Sequence, residues 1–267
     1  KLTKDKEGFS KARKGAIEER SNGIGTMGYH SYLQAQNLPY QSLSTTYKTE
    51  KMFKHIHDGL ARSNRELAMK KGPAKISTVH RNVNVTSIAP TASISTLCDL
   101  ASPGIDPRVS NIYTAKTNIG SYTIKNKYLE KIIIEAERKY VYDLDETNEW
   151  YDAQWKSINK AGGSVQHLDW MSPEDKDVFK TAYEINPKAI IANVGIMQKY
   201  ITQGISTNLF LPADIDVQTL YDVHVEAWTV GLKSLYYVRS TAINRANVGN
   251  TDRQGIKLEE DTCLGCA

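Results

Sequence analysis

The sequence predicts an α/β protein, part of a sheet or barrel in which helices alternate with short strands. Three observations carry this. The first 75 residues place apolar side chains mainly at helical spacing. "NVNVTSIAP" (82–90) is a β-branched run that stops at Pro90. From residue 186 onward two helical segments each lead into a short strand-like one.

Taken in order, "KARKGAIEERSNGIGTMGYHSYLQAQNL" reads as helical, and "TEKMFKHIHDGLARSNRELAMKKG" is a long amphipathic helix closed by Gly72-Pro73. Gly23, Gly25 and Gly28 match G-x-G-x-x-G, which signals dinucleotide binding only after a buried strand and at a helix start. The preceding "GAIEERSN" is charged and helix-prone, so these glycines are read as allowing close packing or a turn. The run 82–90 is the first clear strand, followed by "TASISTLCDLASPGIDP". Residues 111–170 are polar and tyrosine-rich, with a helix at "NKYLEKIIIEAERKY". The pattern then becomes regular: helix 186–204, strand 206–211, helix 216–231 and strand 233–239. From about Val248 periodicity is lost, and the composition is that of a flexible tail. The resulting division is a mainly helical part (1–75), a strand-and-helix part (76–247) and a tail (248–267).

Composition excludes several classes. The 267 residues are 40% hydrophobic and 24% charged, sufficient for a sizeable core. The net charge of +4 has no long basic block behind it, and acids interrupt the basic opening "KLTKDKEGFSKARKG", so no direct nucleic-acid binding is expected. No run approaches the roughly 20 apolar residues of a membrane span, and no signal peptide is present. Three cysteines form no disulfide framework, which points to the cytoplasm. No metal site is expected. The start at Lys1 suits a segment or a processed product.

Three places offer chemistry. Pro90 ends the first strand, and Thr91, Ser93 and Ser95 are good caps for a helix whose free N–H groups would suit a phosphate or diphosphate. Many strand–helix junctions of this type bind nothing. Cys263 and Cys266 stand in C-x-x-C spacing at the chain end, without the second pair of a tetrahedral zinc site. Two thiols there suit a carrier of reducing equivalents or are incidental. Tyr236 and Tyr237 are adjacent; in a flat strand they would face opposite sides, one in the core and one at the rim. Phenols close together can also relay an electron and a proton.

In their order, "SIAPTASIS…ASPGIDP", "GIMQKYITQGISTN", "LKSLYYVRS" and the terminal cysteine pair resemble the catalytic large subunit of class I ribonucleotide reductase. "SNGIGTMGYHSYL" resembles a helix start of the same family, and the match runs from about residue 10 to 267. The resemblance implies the carboxyl-terminal part of a ten-stranded α/β barrel and reduction of ribonucleoside diphosphates to deoxyribonucleotides by radical chemistry. It implies that Pro90, Thr91, Ala92, Ser93 and Ile94 cradle the substrate phosphates and that Tyr236 and Tyr237 relay a radical as a stacked pair off a flat strand. It further implies that Cys263 and Cys266 re-reduce an active-site disulfide and are recharged by thioredoxin or glutaredoxin. No cofactor is expected in this chain, since the radical arises in a metal-containing small subunit.

The departures matter as much. The family's N-x-C-x-E finger loop with the thiyl-radical cysteine is absent, as are the disulfide-forming cysteines, and Cys98 is expected to be a packed small residue. The chain is therefore expected to need a separate amino-terminal portion, as a split-gene product or cut segment would, and to be inactive alone. A half barrel would leave sheet edges open. A stand-alone redox carrier or binding module is the competing class. A cobalamin-dependent class II reductase is the alternative within the enzyme reading, and the tyrosine pair argues against it.

Overall fold

A computed structural model describes residues 8–117, 120–140 and 147–241. The tail 248–267, with Cys263 and Cys266, lies outside the described residues. The amino-terminal part is helical as expected, with α1 (Ser10–Glu19), α2 (Tyr29–Ala35) and α3 (Leu43–Lys71). The helical reading of residues 11–38 is corrected in its middle. Residues 20–28 leave the helix, and Ile24 makes a parallel bridge to Thr86. The glycines permit this. A Cβ on Gly25 would lie 2.3 Å from the Ser87 carbonyl oxygen, and Gly28 sits at φ +79° as the residue before α2.

Short extended segments build the sheet in parallel, with helices in the connections. The Ile24 segment pairs with 84–88, through Asn22 N–H to Asn84 O and Ser87 N–H to Ile24 O. The 84–88 segment pairs with 203–206 at Ile88 and Ile205. The same stretch continues as β3 (Leu209–Leu211), which pairs in parallel with β4 (Val238–Ser240).

The expected strands are shorter than the sequence suggests, and side chains are the reason. Thr202 Oγ1 accepts from the Val85 and Thr86 N–H groups, so 82–90 forms isolated bridges instead of a ladder. Strand 206–211 is reduced to Leu209–Leu211, and strand 233–239 starts only at Val238 and runs on to Ser240; Asn208 Oδ1 accepts from the Tyr237 N–H just before the ladder begins. α8 (Pro187–Gln198) stops before the expected 204, where Gln198 Nε2 donates to the Ile201 and Gln203 carbonyls. α9 (Val217–Thr229) falls within its expected span.

The polar section holds more structure than its composition announces. α4 (Ala92–Leu97) precedes an antiparallel hairpin, β1 (Ile112–Thr117) with β2 (Gly120–Lys125), then α5 (Lys127–Tyr140), α6 (Thr147–Lys160) and α7 (Pro173–Val178). Ile112 and Ile124 are buried, whereas Tyr113, Thr114, Tyr122 and Thr123 are exposed, so much of each strand reads as surface. One cluster of the core gathers Leu33, Phe53, Ile88, Ile190, Val194 and Phe210 between α2, α3, α8 and the sheet. A second gathers Leu129, Ile133, Trp155, Ile158 and Phe179 under the hairpin, and a third packs α9 through Val223 and Ala227 on β3.

Two glycines should respond oppositely to alanine. Gly25→Ala forces backbone apart at the sheet edge and should destabilise the chain by about 1–3 kcal/mol. Gly59→Ala, in exposed mid-α3 with open space around it, should stabilise by about 0.5–1 kcal/mol. Urea unfolding midpoints of the two variants check the pair.

Candidate active site

At the end of the 84–88 segment the chain turns at Pro90, and Thr91 adopts a left-handed conformation at φ +55°. α4 has only six residues, and no side chain caps it. This corrects the expectation that Thr91, Ser93 and Ser95 cap its start. Thr91 Oγ1 instead accepts from the Gly104 N–H at 2.8 Å, and Ser95 Oγ donates backward to the Ala92 carbonyl. Gly104 is needed there: it lies at φ +48°, and a Cβ would stand 2.8 Å from the Ala89 carbonyl oxygen. Ala92, Ser93 and Ile94 are exposed, and Pro90 and Thr91 half-buried. Cys98 is also corrected. It is exposed at the end of α4, because this short helix buries only Ser95.

Tyr236 and Tyr237 precede β4 instead of lying within a flat strand. Their ring centroids are 4.1 Å apart with planes tilted by 51°, and both rings are partly exposed. The backbone holds them. Tyr236 N–H donates to the Thr207 carbonyl, the Tyr237 carbonyl accepts from the Leu209 N–H, and the Tyr237 N–H donates to Asn208 Oδ1 at 3.2 Å. The Arg239 guanidinium lies 5.6 Å from the Tyr237 ring centroid.

Behind Asn208 stands a residue that sequence reasoning missed. Asp106 is buried and accepts from Asn208 Nδ2 at 2.5 Å and from the Asn208 N–H at 3.3 Å. Burial pushes its carboxyl up to about 7, against the hydrogen bonds from Asn208 and the Arg239 charge. The loop Gly104–Asp106 therefore bonds to Thr91 at one end and, through Asn208, to Tyr237 at the other. Register agrees. Ile88 pairs with Ile205, so Pro90 continues level with Thr207, the residue that accepts from Tyr236. The only signal in the sequence was "SPGIDP", a turn followed by an acid between apolar neighbours. Among the described residues no three His, Cys, Asp or Glu side chains are grouped to hold a metal ion.

The pH dependence of stability follows from two buried groups. Asp106 binds its proton more tightly folded than unfolded, so its contribution is complete below about pH 4 and lost as pH rises through about 7. His30 is buried and neutral, lowered to about 3 by burial and by Arg108, and acts oppositely, losing stability as pH falls below about 6.5. The difference between wild type and Asp106→Asn isolates the first. Between pH 5 and 8 the wild type should lose on the order of 3 kcal/mol relative to the variant in urea unfolding.

Comparison with known proteins supplies the context of this geometry. The family model for the ribonucleotide reductase barrel domain matches residues 4–78 and 76–238. The ribonucleoside-diphosphate reductase large subunit of Invertebrate iridescent virus 3 is 36% identical over 254 residues, covering 94% of this chain and 39% of that protein. The large subunit of Invertebrate iridescent virus 6 is 37% identical, covering 90% of this chain and 24% of that protein. Among solved structures, the Actinobacillus ureae class Id ribonucleotide reductase alpha subunit superposes with a TM-score of 0.78 at 33% identity, covering 90% of this chain and 42% of that one. The chain thus spans less than half the length of these relatives. It belongs to the ribonucleotide reductase large-subunit family, as a carboxyl-terminal portion of the α/β barrel.

Proposed function

We propose that the chain supplies part of the catalytic machinery of a ribonucleoside-diphosphate reductase and works with an amino-terminal portion carrying the thiyl-radical cysteine. The observation that carries this reading is the ring pair Tyr236–Tyr237, 4.1 Å apart and bonded through Asn208 and Asp106 to the loop that holds Thr91. Packed phenols can pass oxidising equivalents in sequence. Each gives up an electron and its phenolic proton, then recovers both from the next donor. The partner that supplies the radical is a metal-containing small subunit, and the exposure of both rings suits a relay that enters from a subunit boundary.

In this reading Pro90–Ile94 receives the substrate diphosphate. The left-handed turn at Thr91 and the uncapped start of α4 leave backbone N–H groups available to an anion, and the Thr91 hydroxyl, which accepts from the Gly104 N–H, keeps its own proton to donate. In this reading the main chain of the helix start supplies most oxyanion contacts, with the Thr91 O–H able to add one. Cys263 and Cys266 act as a dithiol. They transfer two electrons and two protons to the active-site disulfide, become a disulfide themselves, and are reduced by thioredoxin or glutaredoxin.

Turnover of ribonucleoside diphosphate, with the amino-terminal portion and small subunit present, tests the relay. Tyr236→Phe and Tyr237→Phe should each reduce deoxynucleotide formation to background while substrate binding persists, since phenylalanine keeps the ring and loses the ionisable proton. Normal turnover in both variants rejects the relay.

The tail is tested separately. Cys263→Ser with Cys266→Ser should permit one turnover and stop further cycles driven by thioredoxin, with dithiothreitol restoring part of the rate. Full thioredoxin-driven cycling in the double variant makes the pair incidental.

A further inference from the structure

A cavity of about 580 Å³ opens between the segment after α4 and the β1–β2 hairpin, lined in part by Thr96, Asp99, Arg108, Lys125, Lys127 and Glu130. Arg108 is its unusual member. It is 7% exposed, and its two side-chain hydrogen bonds both leave from Nη2, to Ser31 Oγ and to the Leu100 carbonyl. Its Nε is buried with no partner. Among the described residues no carboxylate pairs with it, and burial disfavours its charged form. A guanidinium carries five donors and does not shed its charge in a protein, so burial without an anion is costly.

The rest of the lining compounds the imbalance. Lys125 Nζ is held by the Tyr151 hydroxyl at 3.2 Å and lies over the Tyr151 and Trp155 rings, contacts that leave its charge unneutralised. Lys127 is paired with Asp99, but both are substantially exposed, and such a pair is weak enough to exchange. Glu130 is engaged by the Tyr151 hydroxyl at 2.5 Å. Three cations against two acids leave one positive charge in excess, with the buried guanidinium at its inner wall.

We propose that this cavity is an oxyanion site, which takes a phosphate or a carboxylate on Arg108 with Lys125 and Lys127 assisting. The geometry suits the chemistry, because an oxyanion supplies both the missing countercharge and acceptors for a forked donor. The inference is independent of the reductase reading; the lining begins at Thr96, near the end of α4, and excludes Pro90–Ile94.

Inorganic phosphate is the probe, with the 267-residue chain read by thermal unfolding and by phosphorus NMR line broadening. Phosphate should raise the unfolding temperature saturably, whereas chloride at equal ionic strength should not. Arg108→Met should weaken phosphate binding about tenfold or more, the effect of losing a charge-assisted bond. Lys125→Met and Lys127→Met, which leave the guanidinium in place, should each weaken it about threefold. If Arg108→Met does not fold, the two lysine variants decide. Equal phosphate affinity in both, or the absence of any phosphate-specific response in the wild type, overturns the proposal. Repeating the titration with the amino-terminal portion of the large subunit present distinguishes two sources of the ligand. Loss of phosphate binding on assembly assigns the oxyanion to a carboxylate of that portion, and retention assigns it to a free phosphate.

Discussion

The contact between Asp106 and Asn208 organises the sheet around it. The Asn208 side chain accepts from the Tyr237 N–H just before β4 and donates to the buried Asp106 carboxylate, to which the Asn208 backbone N–H also donates. Asp106 and Asn208 are buried and would cost free energy unpaired, so they and Tyr237 constrain one another. The result fixes where β3 meets the residues before β4. It also pins Ile105, whose carbonyl accepts from the Tyr40 hydroxyl beneath the largest core cluster. A loop between α4 and the hairpin thereby becomes part of the sheet's interior.

A second polar network does the same for the hairpin. Asn126 Nδ2 donates to Gln34 Oε1 and Asn111 Oδ1, and Asn111 Nδ2 donates to the Gly163 and Phe179 carbonyls. These bonds join α2, the hairpin base and the segments after α6 and α7 across the seam between two hydrophobic clusters. His30 lies beside this seam. Its neutral ring accepts the Arg108 N–H at 2.8 Å, a role that a protonated imidazole could not fill. The apolar clusters supply the driving force for compaction, and the amides decide the register in which they meet.

That division explains what was legible in the sequence. The helices α3 and α9 were readable because their buried positions recur along one face. The strands were located but overextended. Thr202 and Asn208 replace ladder partners with side chains, and such substitutions depend on residues far apart in the chain. The hairpin and α6 were missed because their buried positions are few and their outer faces polar or aromatic. Of the candidate site, the tyrosine pair and Pro90–Ile94 were visible as local motifs. Asp106 and Asn208, which connect them, were not, because neither residue type implies a partner about a hundred positions away.

The same reasoning separates the two polar centres of the molecule. Around Asp106 the carboxyl and the Asn208 amide are paired with each other, and burial raises the carboxyl to about 7 against those hydrogen bonds. Around Arg108 the account does not close, since the guanidinium is fixed in charge and its described partners are a hydroxyl and a carbonyl. A carboxyl can adapt to burial by taking up a proton, whereas an arginine cannot adapt by losing one. A closed polar network therefore reads as architecture, and a buried cation beside an open cavity reads as half of an interaction whose other half comes from outside these residues.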